Sequence, residues 1–310
     1  MLVARRLVHL PPMLLVVSLV VFLLVVVSPI DPARRALAVS GAADAIDERE
    51  VAAKRVELGL DRPLAERYAR WLAGAVRLDL GDSFVSKKPV SELIAERLVP
   101  SAVLAGVVII TSVALSLPLG IVAAVRAGST LDAAIRILTL IGASLPGFWV
   151  ALLAMWLFAV ELRWLPALGS YSVAGIVLPA SVLVLRTTGL LTRLTRATVI
   201  ETWHSEYVRT ALAKGLTPRR AVLRHALPNA MIPILTVIGL DFAGLLAHAA
   251  VIEWVFAWPG IGRLGVEAAL AGDVPVVTGF ALTVSVIVVC TNLLVDVAYM
   301  ALDPRLRANE

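Results

Sequence analysis

Apolar residues in this chain gather into six blocks, at roughly Leu10–Val27, Ala102–Val125, Ala133–Val160, Val173–Thr192, Ala230–Ile252 and Val274–Met300. A bilayer core about 30 Å thick needs about 20 apolar residues at a rise of about 1.5 Å each. Each block is therefore read as one crossing. The third and last are longer than a crossing needs, so they are expected to tilt or to extend past the lipid. The pattern predicts an all-α membrane protein with six transmembrane helices and a small subdomain between helices 1 and 2. A polar connection lies between helices 4 and 5.

The first block opens like a secretory leader, with Arg5 and Arg6 ahead of it. Its apolar run is 18 residues, whereas a leader core runs about 7–15. No small-x-small cleavage pattern closes it, so it is read as a retained helix.

Charge fixes the expected orientation. Short cytoplasmic loops collect Lys and Arg. Arg5 and Arg6, then Arg126 and Arg136, then the 193–229 connection, then Arg305 and Arg307, all fall on one side of a six-span arrangement. The 193–229 connection alone carries Arg193, Arg196, Arg209, Lys214, Arg219, Arg220 and Arg224 against Glu201 and Glu206. The opposite short loops hold only Arg163 and Arg263. Both termini are thus expected in the cytoplasm. The long segment Ser28–Arg97, with twelve basic and twelve acidic residues, is expected outside, because long loops translocate regardless of charge. The expected organisation is residues 1–27 as tail and first helix and 28–101 as the extracytoplasmic subdomain. Residues 102–300 form a five-helix core and 301–310 a cytoplasmic tail.

Composition excludes several functions. The chain is 59% hydrophobic and 16% charged, against about 25% charged in a soluble domain. Its formal charge of +5 forms no basic face free of lipid-length apolar runs, so no nucleic-acid partner is expected. A lone cysteine, Cys290, permits no internal disulfide and no cysteine metal site. None of Lys54, Lys87, Lys88 and Lys214 follows a glycine, so the phosphate-cradling Gly-Lys loop is absent. None of His9, His204, His225 and His248 precedes a glutamate, which removes the His-Glu-x-x-His zinc motif. Ser144 lacks the second glycine of a nucleophile elbow; Pro146 and Gly147 beside it are expected to break or loosen the third helix. No enzyme chemistry, metal site or cofactor is expected in this chain.

The 206–230 stretch, EYVRTALAKGLTPRRAVLRHALPNA, is sharply punctuated. Glu206–Lys214 has helical composition, and Gly215 suits the left-handed turn after a helix. Thr217 and Pro218 restart a helix, and Pro228 closes it. Ala211, Ala213 and Gly215 are small enough to leave one face slim. Two readings fit: an amphipathic loop on anionic headgroups, and a docking element for a cytoplasmic protein. Within the spans, Asp241 and His248 lie two turns apart on one helix face. Either they line a translocation path together with Glu253, or Asp241 pairs with a neighbour such as Arg186 and His248 packs on a sister subunit. Asn292 and Asp296 are read as structural hydrogen-bonding groups. Trp258, Pro259, Gly260 and Gly262 should make a non-helical turn, and Trp254 and Trp258 suit a membrane interface.

Thr210-Ala211-x-Ala213-Lys214-Gly215, then nine residues, then His225-Ala226-Leu227-Pro228, resembles the coupling loop of ABC-importer permeases, EAA-x3-G-x9-I-x-L-P. Ala211, Gly215, Leu227 and Pro228 stand at the matching places. LGLDRPL, LDLGDSF, LPLGIVAA, ASLPGFW, VFAWPGIGRL and NLLVD…ALDPRLR extend the likeness along the whole chain, which resembles the dipeptide/oligopeptide/nickel permease family. The motif's leading glutamate and first alanine are Arg209 and Thr210 here, so the glutamate contact to an ATPase is dropped while docking is kept.

The resemblance implies one permease half of an ATP-driven, binding-protein-dependent importer in the inner membrane of a prokaryote. Its partners would be a second related permease, two cytoplasmic ABC ATPases carrying ATP and Mg, an extracytoplasmic substrate-binding protein and the lipid bilayer. The ATPase-coupling residues would be Glu206, Tyr207, Arg209, Ala211, Ala213, Lys214, Gly215, Thr217, Leu227, Pro228 and Asn229. Trp258, Pro259, Gly260 and Gly262 would form an outer gate loop. Short peptides and nickel or metal–chelate complexes are both implied substrates. The rival expectation is a secondary transporter working without an ATPase, which should show paired repeats; no such repeat is present.

Overall fold

The computed structural model describes residues 2–27, 31–38, 47–169, 171–221, 224 and 226–302. Regular structure among them is helical, apart from one isolated antiparallel bridge between Asp82 and Pro89. The helices are α1 (Leu2–Val27), α2 (Pro32–Leu37), α3 (Glu48–Glu57), α4 (Leu64–Val76), α5 (Val90–Val125), α6 (Thr130–Ser144), α7 (Gly147–Ala154), α8 (Val173–Trp203), α9 (Glu206–Ala213), α10 (Pro218–Ala221), α11 (Leu227–Val255), α12 (Ile261–Ala271) and α13 (Val274–Leu302). Among the described residues, α1, α5, α8 and α13 are long and apolar enough to cross a membrane, and the α6–α7 pair makes a fifth if counted as one span. The continuously apolar part of α11, Asn229–Phe242, is shorter.

The expected third span is broken. Its two halves meet at 98° across Leu145 and Pro146. Pro146 has no N–H to donate and disfavours helix at the residue before it; Leu145 accordingly sits at ψ 136°. A π-helical stretch, Met155–Glu161, follows α7. Two other spans outrun their apolar blocks: α5 begins at Val90 and α8 continues to Trp203. The amphipathic ends add helical turns without adding lipid-length apolar residues.

The chain divides into two compact units. The first holds 102–258 and 290–302. Its main core gathers Leu104, Val108, Leu178, Leu183, Leu245 and Trp258 from α5, α8, α11 and the turn after α11. α6 and α8 meet where a Cβ on Gly189 would lie 2.6 Å from the Thr139 carbonyl oxygen. Only a residue without a side chain permits that approach, the usual device for close helix contact in membranes.

The second unit holds 2–101 and 259–289. Its core is Val90, Ile94, Ile261, Ala268 and Val276. The buried Asp273 carboxylate accepts from Ser83 Oγ at 2.5 Å and from the Phe84 and Val85 N–H groups at 3.1 and 3.3 Å, tying the 83–85 turn to the start of α13. Asp31 caps α2 through the Ala33 N–H and holds Arg55 of α3 at 2.6 Å. Burial pushes the Asp31 carboxyl up, but the Arg55 hydrogen bond, the Ala33 and Arg34 N–H groups and the Arg55 charge together hold it below the usual carboxylate range.

Candidate functional site

Residues 206–221 fold as two short helices about a glycine elbow. α9 ends at Ala213 with Lys214 as its C-cap, and Gly215 follows at φ +89°. No atom lies within 4 Å of a Cβ built on Gly215, so backbone conformation rather than space selects glycine there. α10 then starts at Pro218, and Pro228 stands in the first turn of α11. Pro228 therefore opens α11 instead of closing the second short helix. Its missing N–H is harmless at a helix start.

Burial divides the expected coupling residues into two sets. Val208, Ala221 and Ala226 are buried against one another, with Trp203 and Leu212 packed on them, and Ala211 is buried as well. Glu206, Tyr207, Arg209, Ala213, Lys214, Gly215, Thr217 and Asn229 are exposed, and Leu227 is half-buried. Ala211, being buried, is not part of an exposed slim face. A valine–alanine–alanine seat lets α9 and α10 lie close, and the polar side chains Glu206, Arg209, Lys214 and Thr217 are left on the exposed face. On that face Arg209 Nη1 lies 3.1 Å from Glu206 Oε1, one turn back along α9. The cation at the motif's glutamate position is thereby partly neutralised within its own helix.

Trp203 carries no signal in the motif, yet it joins the seat to the bundle. It packs on the seat and also on the Val199, Ala230 and Ile234 cluster of α8 and α11. Displacing α9 and α10 must therefore load both long helices.

A second feature lay outside the sequence expectations. Asp132, fully buried, takes Arg196 Nε at 2.6 Å and Nη2 at 2.8 Å as a two-pronged pair. Its Oδ2 also accepts from the Gly128 N–H at 3.0 Å, while Ser129 Oγ accepts from the Asp132 N–H at 3.2 Å. The string Ser129-Thr-Leu-Asp132 is a capping-box pattern, which is the signal that could have flagged it. Arg136 stands 3.7 Å from the same carboxylate. Arg196 is thus a half-buried brace between α6 and α8, not a loop cation, because α8 runs on past the expected end at Thr192.

The candidate path residues separate. Asp241 lies 3.4 Å from Arg186 Nη1 and accepts from Thr187 Oγ1 at 3.2 Å, so the pairing with Arg186 is present. His248 is exposed, with Nδ1 2.7 Å from the Gly244 carbonyl. Glu253 is buried, and its carbonyl accepts from the Trp258 N–H at 2.8 Å. Trp258 is buried in the core beside Tyr171, ring centroids 5.7 Å apart, so it is no membrane-interface residue; Trp254 is exposed. The turn after α11 passes through Ala257 at φ +53° and closes at Gly260, the N-cap of α12. Gly262 sits inside α12 instead of in the turn, since Ile261–Ala271 is amphipathic enough to resume a helix at once. Asn292 Oδ1 has no hydrogen-bond partner among the described residues. The Asp296 side chain, His225 and residues 303–310 lie outside the described set. Among the described residues no three His, Cys, Asp or Glu side chains converge on a metal-sized site.

Comparison with known proteins places these features. Residues 116–308 match the family described as "Binding-protein-dependent transport system inner membrane component", and residues 1–105 match the N-terminal membrane component of the same systems. A Brucella abortus (strain 2308) protein, named for a peptide transport system permease, is 38% identical over 99% of this chain and 98% of its own length. The glutathione transport system permease protein GsiC of Salmonella paratyphi A is 39% identical over 98% of each chain. The MetNI methionine ABC transporter, solved in an inward-facing conformation, matches with a TM-score of 0.58 at 18% identity, covering 68% of this chain and 96% of that one; this likeness concerns the fold. By sequence along its whole length and by fold across its core, the chain belongs to the inner-membrane permease components of binding-protein-dependent ABC transport systems.

Proposed function

We propose that this chain is one permease half of an importer for short peptides of glutathione size, driven by two cytoplasmic ATPases. It pairs with a second, related permease and receives substrate from an extracytoplasmic binding protein. The names of the full-length relatives support peptide over metal–chelate cargo. In this reading the six crossings are α1, α5, the bent α6–α7 pair, α8, α11 and α13, with both termini and the α9–α10 segment in the cytoplasm, a placement that the Lys and Arg distribution supports.

The observation that carries the mechanism is the seat of α9 and α10. Their outer face is polar and exposed, while their inner face is locked through Trp203 to α8 and α11. Closure of an ATPase dimer gripping that face moves α9 and α10 as a rigid body. The bundle then tips between inward- and outward-facing packings, as expected of a bistable packed assembly. Asp241, His248 and Glu253 are proposed path residues, with the Arg186–Asp241 pair as the charged element on that route. The loop around Trp258, Pro259 and Gly260 is proposed as the outer gate.

The test is co-expression with the partner subunits and measurement of ATPase activity and peptide uptake for the native chain and Gly215→Pro. Proline cannot reach φ +89°, so the elbow must rearrange. ATPase association and coupled uptake in the native complex, with coupling lost in the variant, is the expected result. Uptake that persists with no ATPase bound would overturn the reading.

A further inference from the structure

The second unit contains a cleft of about 680 Å³ that no transport step described above uses. Its floor is apolar and aromatic: Phe22 and Val25 from α1, Trp71 from α4, Leu80 and Phe84 from the following turn, and Pro275 from α13. Its rim is cationic, carrying Lys54, Arg62, Arg67, Arg70 and Lys87 against Glu57, Asp79 and Asp82.

These cations are incompletely neutralised. Lys54 spends its charge on Glu57 at 2.6 Å. Arg62 and Arg70 share a single oxygen, Glu66 Oε1, at 2.7 and 3.0 Å. The Arg67 guanidinium lies 6.0 Å from the centre of the Phe22 ring. Lys87 has no ionic partner among the described residues and is held at φ +60°, a conformation rare outside glycine and asparagine. Of the opposing acids, Asp79 already accepts from the Gly81 N–H at 3.1 Å.

The cleft's depth identifies its occupant. α4 lies along α1: Tyr68 Oη is 2.8 Å from Ser18 Oγ and donates to the Leu15 carbonyl at 3.2 Å. Phe22, Tyr68 and Trp71 then pack as a ring cluster with centroids 5.4 to 6.3 Å apart. Leu15 and Ser18 lie midway along the lipid-crossing segment Leu10–Val27. α4 is thus an amphipathic helix seated on a membrane span, and the cleft is lined by Phe22 and Val25, five and two residues before the end of that span at Val27. At about 1.5 Å per residue these stand within about 8 Å of the end of the apolar run, from which long basic side chains reach headgroup phosphates with their stems on apolar surface.

We propose that this cleft binds the headgroup of an anionic phospholipid, its phosphodiester held by Arg67, Arg70 and Lys87 and its glycerol backbone resting on Phe22 and Trp71. Guanidinium forks match phosphate oxygens, and the aromatic floor accepts the first methylenes of the acyl chains. The lipid would fasten the outer subdomain to the bilayer and fix the position of α4 against α1.

The test is native mass spectrometry of the full chain in detergent micelles, titrated with phosphatidylglycerol or with phosphatidylcholine. It needs no partner subunit, so its outcome is independent of the importer mechanism. The expected result is a one-to-one complex with phosphatidylglycerol that saturating inorganic phosphate does not displace. Lys87→Gly, which removes the charge and also relieves the backbone, should weaken it about fivefold, and adding Arg67→Gln about fivefold more. Arg49→Ala, outside the cleft, should leave it unchanged. Equal retention by native and doubly substituted chains, or equal retention of phosphatidylcholine, would overturn the proposal. Displacement by inorganic phosphate would replace it with a small-anion site.

Discussion

Removing Arg196 is the sharpest probe of how α8 is anchored ahead of the α9–α10 segment. Arg196→Met keeps much of the side-chain volume but strips the buried Asp132 of both prongs, at 2.6 and 2.8 Å. Breaking a buried pair from one side costs about 3–5 kcal/mol. Two features reduce that here. The Arg196 side chain keeps 23% exposure, and Arg136 is already within 3.7 Å of the stranded carboxylate. A loss of about 2–3 kcal/mol is therefore expected, which corresponds to roughly 4–8 °C in melting temperature for a domain of this size class. Asp132→Asn in the same background removes the stranded charge and should restore more than half of the loss. The assay is thermal unfolding of the detergent-purified complex for the native chain, both single variants and the double variant. A coupling energy below about 0.5 kcal/mol, the scatter expected for independent sites, would refute the brace. The ratio of uptake to ATP hydrolysis should also fall in Arg196→Met, because the helix that leads into the α9–α10 seat is then free to shift.

Three further outcomes are expected. Gly215→Ala meets no steric obstacle and suffers only the left-handed backbone, costing about 1–2 kcal/mol; it should lower coupling less than Gly215→Pro, read as uptake per ATP hydrolysed. Trp203→Ala empties the joint between two apolar clusters and should destabilise by about 3–5 kcal/mol, with ATPase activity released from substrate control. For Asp31, whose folded carboxyl lies below its ordinary value of 3.8, the stabilising contribution is present above that ordinary value and disappears as pH falls through the lower folded one. Hydrogen exchange across α2 and α3 should therefore accelerate below about pH 4 relative to an Asp31→Asn chain, beyond the intrinsic pH dependence of exchange; parallel pH profiles for the two chains would refute this.

Much of the architecture is written locally. Lipid-length apolar runs place most of the long helices, because a bilayer demands unbroken apolar turns whatever the neighbours do. The glycine elbow is equally local: φ +89° at Gly215 follows from a helix stop before a Thr-Pro restart. The break at Leu145–Pro146 follows from the missing proline N–H, although its angle of 98° does not. Family motifs are read in the same way, residue by residue.

What tertiary structure decided depends on distance along the chain. Asp132 and Arg196, Trp203 and Ala230, Asp241 and Arg186, and Tyr68 and Ser18 are each far apart in sequence or on different helices. Charge counting read Arg196 as a loop cation; its partner appears only when α6 and α8 pack close enough at Gly189. Trp258 and Gly262 look like turn residues beside proline and glycine. The packed core buries the first, and an amphipathic helix absorbs the second. Hydropathy and turn chemistry depend on a residue and its near neighbours, so the sequence carries them openly. Which side of a helix meets a partner, and which charge is neutralised by another, depends on how whole helices pack, and only the folded chain determines that.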